Sequence, residues 1–168
     1  MIVGAGFVGV PLFNELSKRL PETTKLVLIS PRKPFIHLPA ACRVIACPSE
    51  TEFSKDVLIP FTERFRDDKN SARRTVFGKV KEIVDRKRGS GDKDKDQEGE
   101  GERYVVLESG EKVEYTYLVL APGCSWDGPL GFPDSMEETQ VKVKEWHEKF
   151  EKAKDIVLVG GGGVAFGA

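Results

Sequence analysis

The 168-residue sequence predicts an α/β fold with a parallel sheet and an attached antiparallel β-meander. Three observations carry this. An apolar run, a glycine cluster, an amphipathic stretch and a second apolar run follow one another over residues 1–29. Three short β-prone segments lie in succession between residues 80 and 115. A further apolar run followed by glycines recurs at 156–165.

Taken in order, Met1-Ile2-Val3 is apolar and β-prone, and Gly4 to Gly9 forms a turn. Over Pro11 to Leu20 the apolar residues Leu12, Phe13, Leu16 and Leu20 recur at three- to four-residue spacing, one face of a helix. Pro11 suits a first helical turn, where its missing N–H is not needed, and Pro21 ends the helix. Lys25 to Ile29 (KLVLI) is a short continuous apolar run, the pattern of a buried parallel strand. Residues 31–60 contain five prolines and read as loop with short helical pieces. Ser49 and Glu52 have capping-box spacing for a short helix near 50–58.

Arg74 to Val80 reads as a strand. Val80 to Asp85, Arg103 to Glu108 and Glu111 to Tyr115 form the meander, 80–116, with a turn at Ser109-Gly110. The connection 86–103 holds six basic residues, six acidic residues and four glycines, with no apolar side chain to offset the entropy of ordering. It is expected to be a mobile hairpin loop; a functional charged arm is the alternative. Tyr117 to Ala121 (YLVLA) reads as a buried strand and Pro122 to Ser135 as a loop. Val143, Trp146 and Phe150 mark the inner face of a helix at 139–153, on which His147 is expected to be exposed. Asp155 to Val159 (DIVLV) reads as a further buried strand, followed by glycines.

Composition excludes several classes. With 39% hydrophobic residues and 17 glycines the chain has the material for a core. Its 26 basic and 27 acidic residues leave a net charge of -1, so no broad basic face for nucleic acid is expected. The uncharged, apolar opening from Met1 to Phe13 falls short of the roughly 20 residues of a membrane span, and it lacks the basic start of a signal peptide. Three cysteines set no disulfide framework. The two histidines and these cysteines have no metal-site spacing.

Gly4-Ala5-Gly6-Phe7-Val8-Gly9 is G-x-G-x-x-G between a strand and a helix. The first glycine permits a tight turn, the second lets a pyrophosphate approach the backbone, and the third lets helix and strand pack closely. The helix N-terminus offers N–H groups and partial positive charge to the phosphates. A close-packed turn without ligand is the alternative. The usual ribose-gripping acid at the end of the second strand is replaced by Ser30, followed by Arg32 and Lys33, which read either as phosphate contacts or as surface charge. Gly160, Gly162 and Ala165 fit G-x-G-x-x-A after a strand. Cys42 and Cys47 have C-x4-C spacing, which suits either a redox pair or two unreactive thiols. Cys124 reads as structural, and His37 as a possible neighbour of a cofactor.

Together VGAGFVG, ISPRKPFIHLPAACR, YLVLAPG and IVLVGGGG resemble the FAD- and NAD(P)-binding pyridine-nucleotide oxidoreductases. The closest resemblance is to the branch of apoptosis-inducing-factor homologues, ferroptosis suppressors and type II NADH dehydrogenases. The resemblance implies a Rossmann-like FAD domain and hydride transfer from NAD(P)H through FAD to a quinone-like acceptor. It places FAD at Gly4, Ala5, Gly6, Phe7, Val8 and Gly9, with Ser30, Arg32, Arg43, Val80, Ala121 and Gly123, and NAD(P)H at Gly160 and Gly162. Pro122 stands where the family has threonine, and Gly167 where it often has glutamate. The implied organisation is a first part of the FAD domain at 1–123, a linker and helix at 124–153, and the beginning of an NAD(P) domain at 154–168. The reading is therefore of an N-terminal fragment, incomplete and inactive by itself, from a cytoplasmic or mitochondrion-associated protein. Membrane association is possible in the family. Two alternatives stand beside it: a flavin-linked thiol–disulfide reductase using Cys42 and Cys47, and a non-catalytic nucleotide-binding remnant.

Overall fold

The computed structural model describes residues 1–47, 56–61, 72–85 and 102–162. The elements are β1 (Ile2–Val3), α1 (Gly9–Arg19), β2 (Leu26–Ser30), β3 (Pro34–Ile36), α2 (Leu38–Ala46), β4 (Leu58–Pro60), β5 (Arg73–Phe77), β6 (Val80–Asp85), β7 (Arg103–Leu107), β8 (Lys112–Glu114), β9 (Val119–Leu120) and α3 (Met136–Lys152). A four-stranded parallel sheet has the order β5-β2-β1-β9. The chain leaves β1 toward β2 and β5, then returns to place β9 on the other side of β1. That reversal opens a crevice at the carboxyl ends of β1 and β9.

Every residue of β2 is buried, as its unbroken apolar run requires of a strand covered on both faces. Its side chains alternate between two cores. Leu26 and Leu28 join Val10 and Phe13 of α1, with Ile2 and Phe35. Val27 and Ile29 face Val105, Leu107 and Val113 of the meander. A third cluster joins α2 to α3 through Val44, Ile45, Trp146 and Phe150. The meander β6-β7-β8 is antiparallel as expected, with a register shift between Val80 and Glu82. The Arg103–Asp85 ion pair closes the base of the connection between β6 and β7.

Six readings are corrected. The segment 31–60 is more regular than its prolines suggested: β3 and β4 pair antiparallel, and α2 has nine residues. Pro34 and Pro60 oppose each other at the end of that ladder, and Pro39 sits in the first turn of α2, where each is tolerated. The helix expected near 50–58 and the loop at 86–103 lie largely outside the described residues. The strand read over 74–80 is two elements, because β5 ends at Phe77 and β6 starts at Val80.

The third and fourth corrections concern the strands read as buried. At 117–121 only Val119 and Leu120 pair, on one side, and both are exposed, because no described strand lies beyond them. Residues 155–159 pair with nothing described and are exposed, so the apolar run gains no ladder. The last helix begins at Met136, three residues before the expected start. Ser135 caps it by accepting the Glu138 N–H at 3.1 Å, a Ser-x-x-Glu signal legible in the sequence. His147 is half-buried, with Nε2 2.5 Å from the Val44 carbonyl oxygen of α2. None of the described helices is long and apolar enough to cross a membrane.

Candidate functional site

Four strand ends converge on the glycine turn. At the end of β1, the Gly4 N–H donates to the Ile29 oxygen of β2 at 2.8 Å. The Ala121 N–H, just past β9, donates to the Val3 oxygen at 2.8 Å. The Gly78 N–H, just past β5, donates to the Ser30 oxygen at 2.8 Å and leads the chain to Val80. Gly4, Ser30, Val80 and Ala121 therefore share one edge of the sheet, the carboxyl end where α/β folds bind ligands.

The three motif glycines are required for different reasons. Gly4 has φ +104°, and a Cβ there would lie 2.0 Å from the Ala121 oxygen. A Cβ on Gly9 would lie 1.8 Å from the Gly4 oxygen. These two glycines are demanded by the packing of strand, turn and helix. Gly6 is different: nothing lies within 4 Å of its Cβ position, and it is exposed. The open space is where a ligand approaches the backbone. Helix α1 begins there with no side-chain cap and no acid in its first turn. Its leading N–H groups, in the Ala5 to Gly9 segment, are thus left for an anion. This geometry fits the pyrophosphate of a dinucleotide.

The other expected residues are placed less uniformly. The buried Ser30 hydroxyl donates to the Arg32 oxygen at 2.9 Å and accepts the Arg32 N–H at 3.1 Å. Its one proton is thereby used locally. Arg32 reaches the 132–134 loop, with Nε 3.2 Å from Asp134 Oδ1 and a second nitrogen 3.0 Å from the Phe132 oxygen. Arg43 is on the exposed face of α2. Gly123 follows β9 with φ +72° and is exposed. Gly160 and Gly162 lie in the exposed stretch after α3, with nothing within 4 Å of either Cβ position. The structure does not bring them to the first turn.

The three cysteines are free, with Cys42 buried and Cys124 exposed. Cys42 lies within α2 and Cys47 caps its end. Five residues of helix separate Cα atoms by roughly 7.5 Å along the axis. That exceeds the usual disulfide span of about 4.4–6.8 Å, so a bridge requires the last turn of α2 to open. Nothing in the geometry favours the redox pair. No group of three or more potential metal ligands occurs among the described residues.

One contact is not signalled by any sequence motif. The Phe7 ring stands edge-on to His37, the residue before α2, at 5.4 Å between centroids, and stacks near Phe35 at 6.5 Å. These rings wall a recess of about 360 Å³ with Val10, Asn14 and Ile59.

Comparison with known proteins finds similar chains. A 61-residue stretch is 44% identical to FAD-dependent oxidoreductase FVFD30 of Flammulina velutipes, covering 36% of this chain and 19% of that protein. Apoptosis-inducing factor homolog A of Dictyostelium discoideum is 26% identical over 98% of this chain and 34% of its own length. Ferroptosis suppressor protein 1 of Xenopus laevis is 28% identical over 96% of this chain and 37% of its own. The chain is a homologue of these proteins. The resemblance to the FAD/NAD(P)-binding oxidoreductases read from its motifs therefore holds. No protein-family model matches the chain. The sulfide:quinone oxidoreductase of Aquifex aeolicus has the same fold, with a TM-score of 0.56 at 23% identity over 90% of this chain and 32% of that one. The chain spans about a third of the length of the apoptosis-inducing-factor, ferroptosis-suppressor and quinone-oxidoreductase relatives, and less of the first.

Proposed function

We propose that residues 1–123 form part of the FAD site of an NAD(P)H oxidoreductase that delivers electrons to a quinone-like acceptor. The observation that carries the reading is the convergence of four strand ends on a turn whose middle glycine faces open space. FAD, when bound, accepts hydride from the nicotinamide cofactor and passes electrons onward. The residues of this chain bind and orient it. The N–H groups from Ala5 to Gly9 take the pyrophosphate, with Gly6 giving the closest approach. Val80 offers backbone to the adenine, and Ser30 retains an acceptor lone pair toward the ribose. Arg32 holds the 132–134 loop beside that end. Arg43, Ala121 and Gly123 stand toward the redox end.

The names of the relatives support the oxidoreductase class and FAD, and that of the Aquifex aeolicus enzyme supports the quinone acceptor. Residues 124–153 are assigned as linker and helix. Residues 154–168 are assigned as the opening of an NAD(P)-binding domain, with Gly160 and Gly162 in its turn. A cytoplasmic or mitochondrion-associated location, with membrane contact possible, belongs to the same reading.

The test is titration of the chain with FAD, followed by flavin fluorescence. Saturable quenching is expected, lost in Gly6→Val and retained in Gly110→Ala, a turn far from the site in sequence. Binding that survives Gly6→Val removes the glycine turn from the site.

A further inference from the structure

We propose that His37 is a positioning residue for the dinucleotide: through the Phe7 ring it holds the glycine turn in the conformation that receives the pyrophosphate. This rests on the dinucleotide reading above and adds a residue outside the glycine motif. The middle of the turn is the least supported part of the site. Gly6, Phe7 and Val8 are exposed, and nothing lies within 4 Å of the Gly6 Cβ position. Val8, which precedes α1, makes no side-chain cap. The Gly6 and Val8 oxygens accept the Val10 and Leu12 N–H groups at 3.1 and 3.2 Å. Those bonds tie one edge of the turn to the helix and leave its N–H edge outward, where phosphates approach. The side-chain grip on this stretch comes from Phe7. Its ring meets His37 at 5.4 Å between centroids, with 65° between the planes, and lies 6.5 Å from Phe35.

The other end of that grip is firmly rooted. His37 stands at the corner between β3 and α2, and three backbone bonds fix it there. Its N–H donates to the Val57 oxygen at 2.9 Å, and its oxygen accepts the Ala40 and Ala41 N–H groups at 3.0 and 3.1 Å. Beside it Phe35 is buried and opposes Ile59 of β4. An edge-to-face pair between a fixed ring and a ring on the turn carries the corner's rigidity to the turn. A turn that holds its receiving conformation only part of the time binds more weakly in proportion to that fraction. A brace that raises the fraction therefore raises affinity without touching the ligand. The competing account is that Phe7 and His37 only fill space beside α1, with Val10 and Ile59. It predicts a loss spread over the fold and none at the site.

The probe is ADP-ribose, which carries adenine, ribose and pyrophosphate and lacks the flavin. Its affinity for the 168-residue chain is measured by calorimetry, and amide hydrogen exchange by NMR, in the wild type, His37→Ala, His37→Phe and Gly6→Val. His37→Ala is expected to weaken binding about fivefold, the worth of one aromatic pair. It should also speed exchange at Val10 and Leu12, whose N–H groups bond to the turn, while the amides of β2 keep their wild-type rates. His37→Phe keeps a ring at the corner and should restore affinity to within about twofold of the wild type. An unchanged affinity in His37→Ala overturns the proposal. An equal loss in His37→Phe also overturns it, because the imidazole is then a ligand contact rather than a brace. Faster exchange in β2 along with the turn does so as well, since His37 then serves the fold alone. Binding that survives His37→Ala but not Gly6→Val sinks the brace and leaves the glycine turn as the site. A wild-type chain that does not bind ADP-ribose removes the dinucleotide reading, and the brace with it.

Discussion

The three glycines of the first turn share a motif but differ in what they do. Gly4→Ala and Gly9→Ala each drive a Cβ into a backbone oxygen, so each is expected to destabilise the chain by about 3 kcal/mol or more in urea unfolding. Gly6→Ala meets nothing within 4 Å and should change stability by less than about 0.5 kcal/mol. Its cost should appear instead as a loss of ADP or FAD affinity of about tenfold, read by calorimetry. A Gly6→Ala protein that binds both normally contradicts the proposed site. Arg32 is similarly two-sided. If its main work is the grip on Asp134 and Phe132, Arg32→Ala will speed hydrogen exchange at 132–134 and leave ADP affinity within about twofold. A larger affinity loss makes it a phosphate ligand.

Helix α3 is held by two different devices, and they should separate experimentally. Ser135→Ala removes the cap on the Glu138 N–H and is expected to cost about 1 kcal/mol. Trp146→Ala removes a half-buried ring from the cluster shared with α2 and should cost about 2–3 kcal/mol by the same unfolding measurement. At this scale the sequence was readable wherever a local pattern matched the local environment. α1 followed from its periodicity, β2 from its unbroken apolar run, and the meander from its turn. The start of α3 was legible in Ser135 and Glu138, but the apolar spacing of Val143, Trp146 and Phe150 drew the eye past it. The β3–β4 pair was not legible, because its two strands are three residues each, lie more than twenty residues apart and have prolines at their ends. Pairing of that kind is decided by tertiary contact rather than by local propensity. The Phe7–His37 contact is of the same sort, joining residues thirty positions apart through the fold alone.

For the molecule as a whole, α1, the sheet and the meander form three layers that share one strand, β2. The stretch after α3 adds nothing to them among the described residues, where 155–159 are exposed and pair with no strand. Ending the chain at Ala153 is therefore expected to leave the urea midpoint unchanged, and a clear drop would show that the stretch packs somewhere in solution. The site itself was legible as far as backbone chemistry reached, since Gly4, Gly6 and Gly9 announce it in sequence. It was not legible where a side chain finds partners across the fold, as Arg32 does at Asp134 and Phe132. The outer side of β9, where no described strand pairs, has a practical consequence. Leu120 and Tyr117 are open to solvent beside it, at 56% and 82% exposure, and Ile156 to Val159 offer a matching greasy ribbon. Such surfaces adhere to one another and to plastic, so a preparation should cloud on concentration and brighten an apolar dye. Leu120→Lys with Val157→Lys should keep it clear.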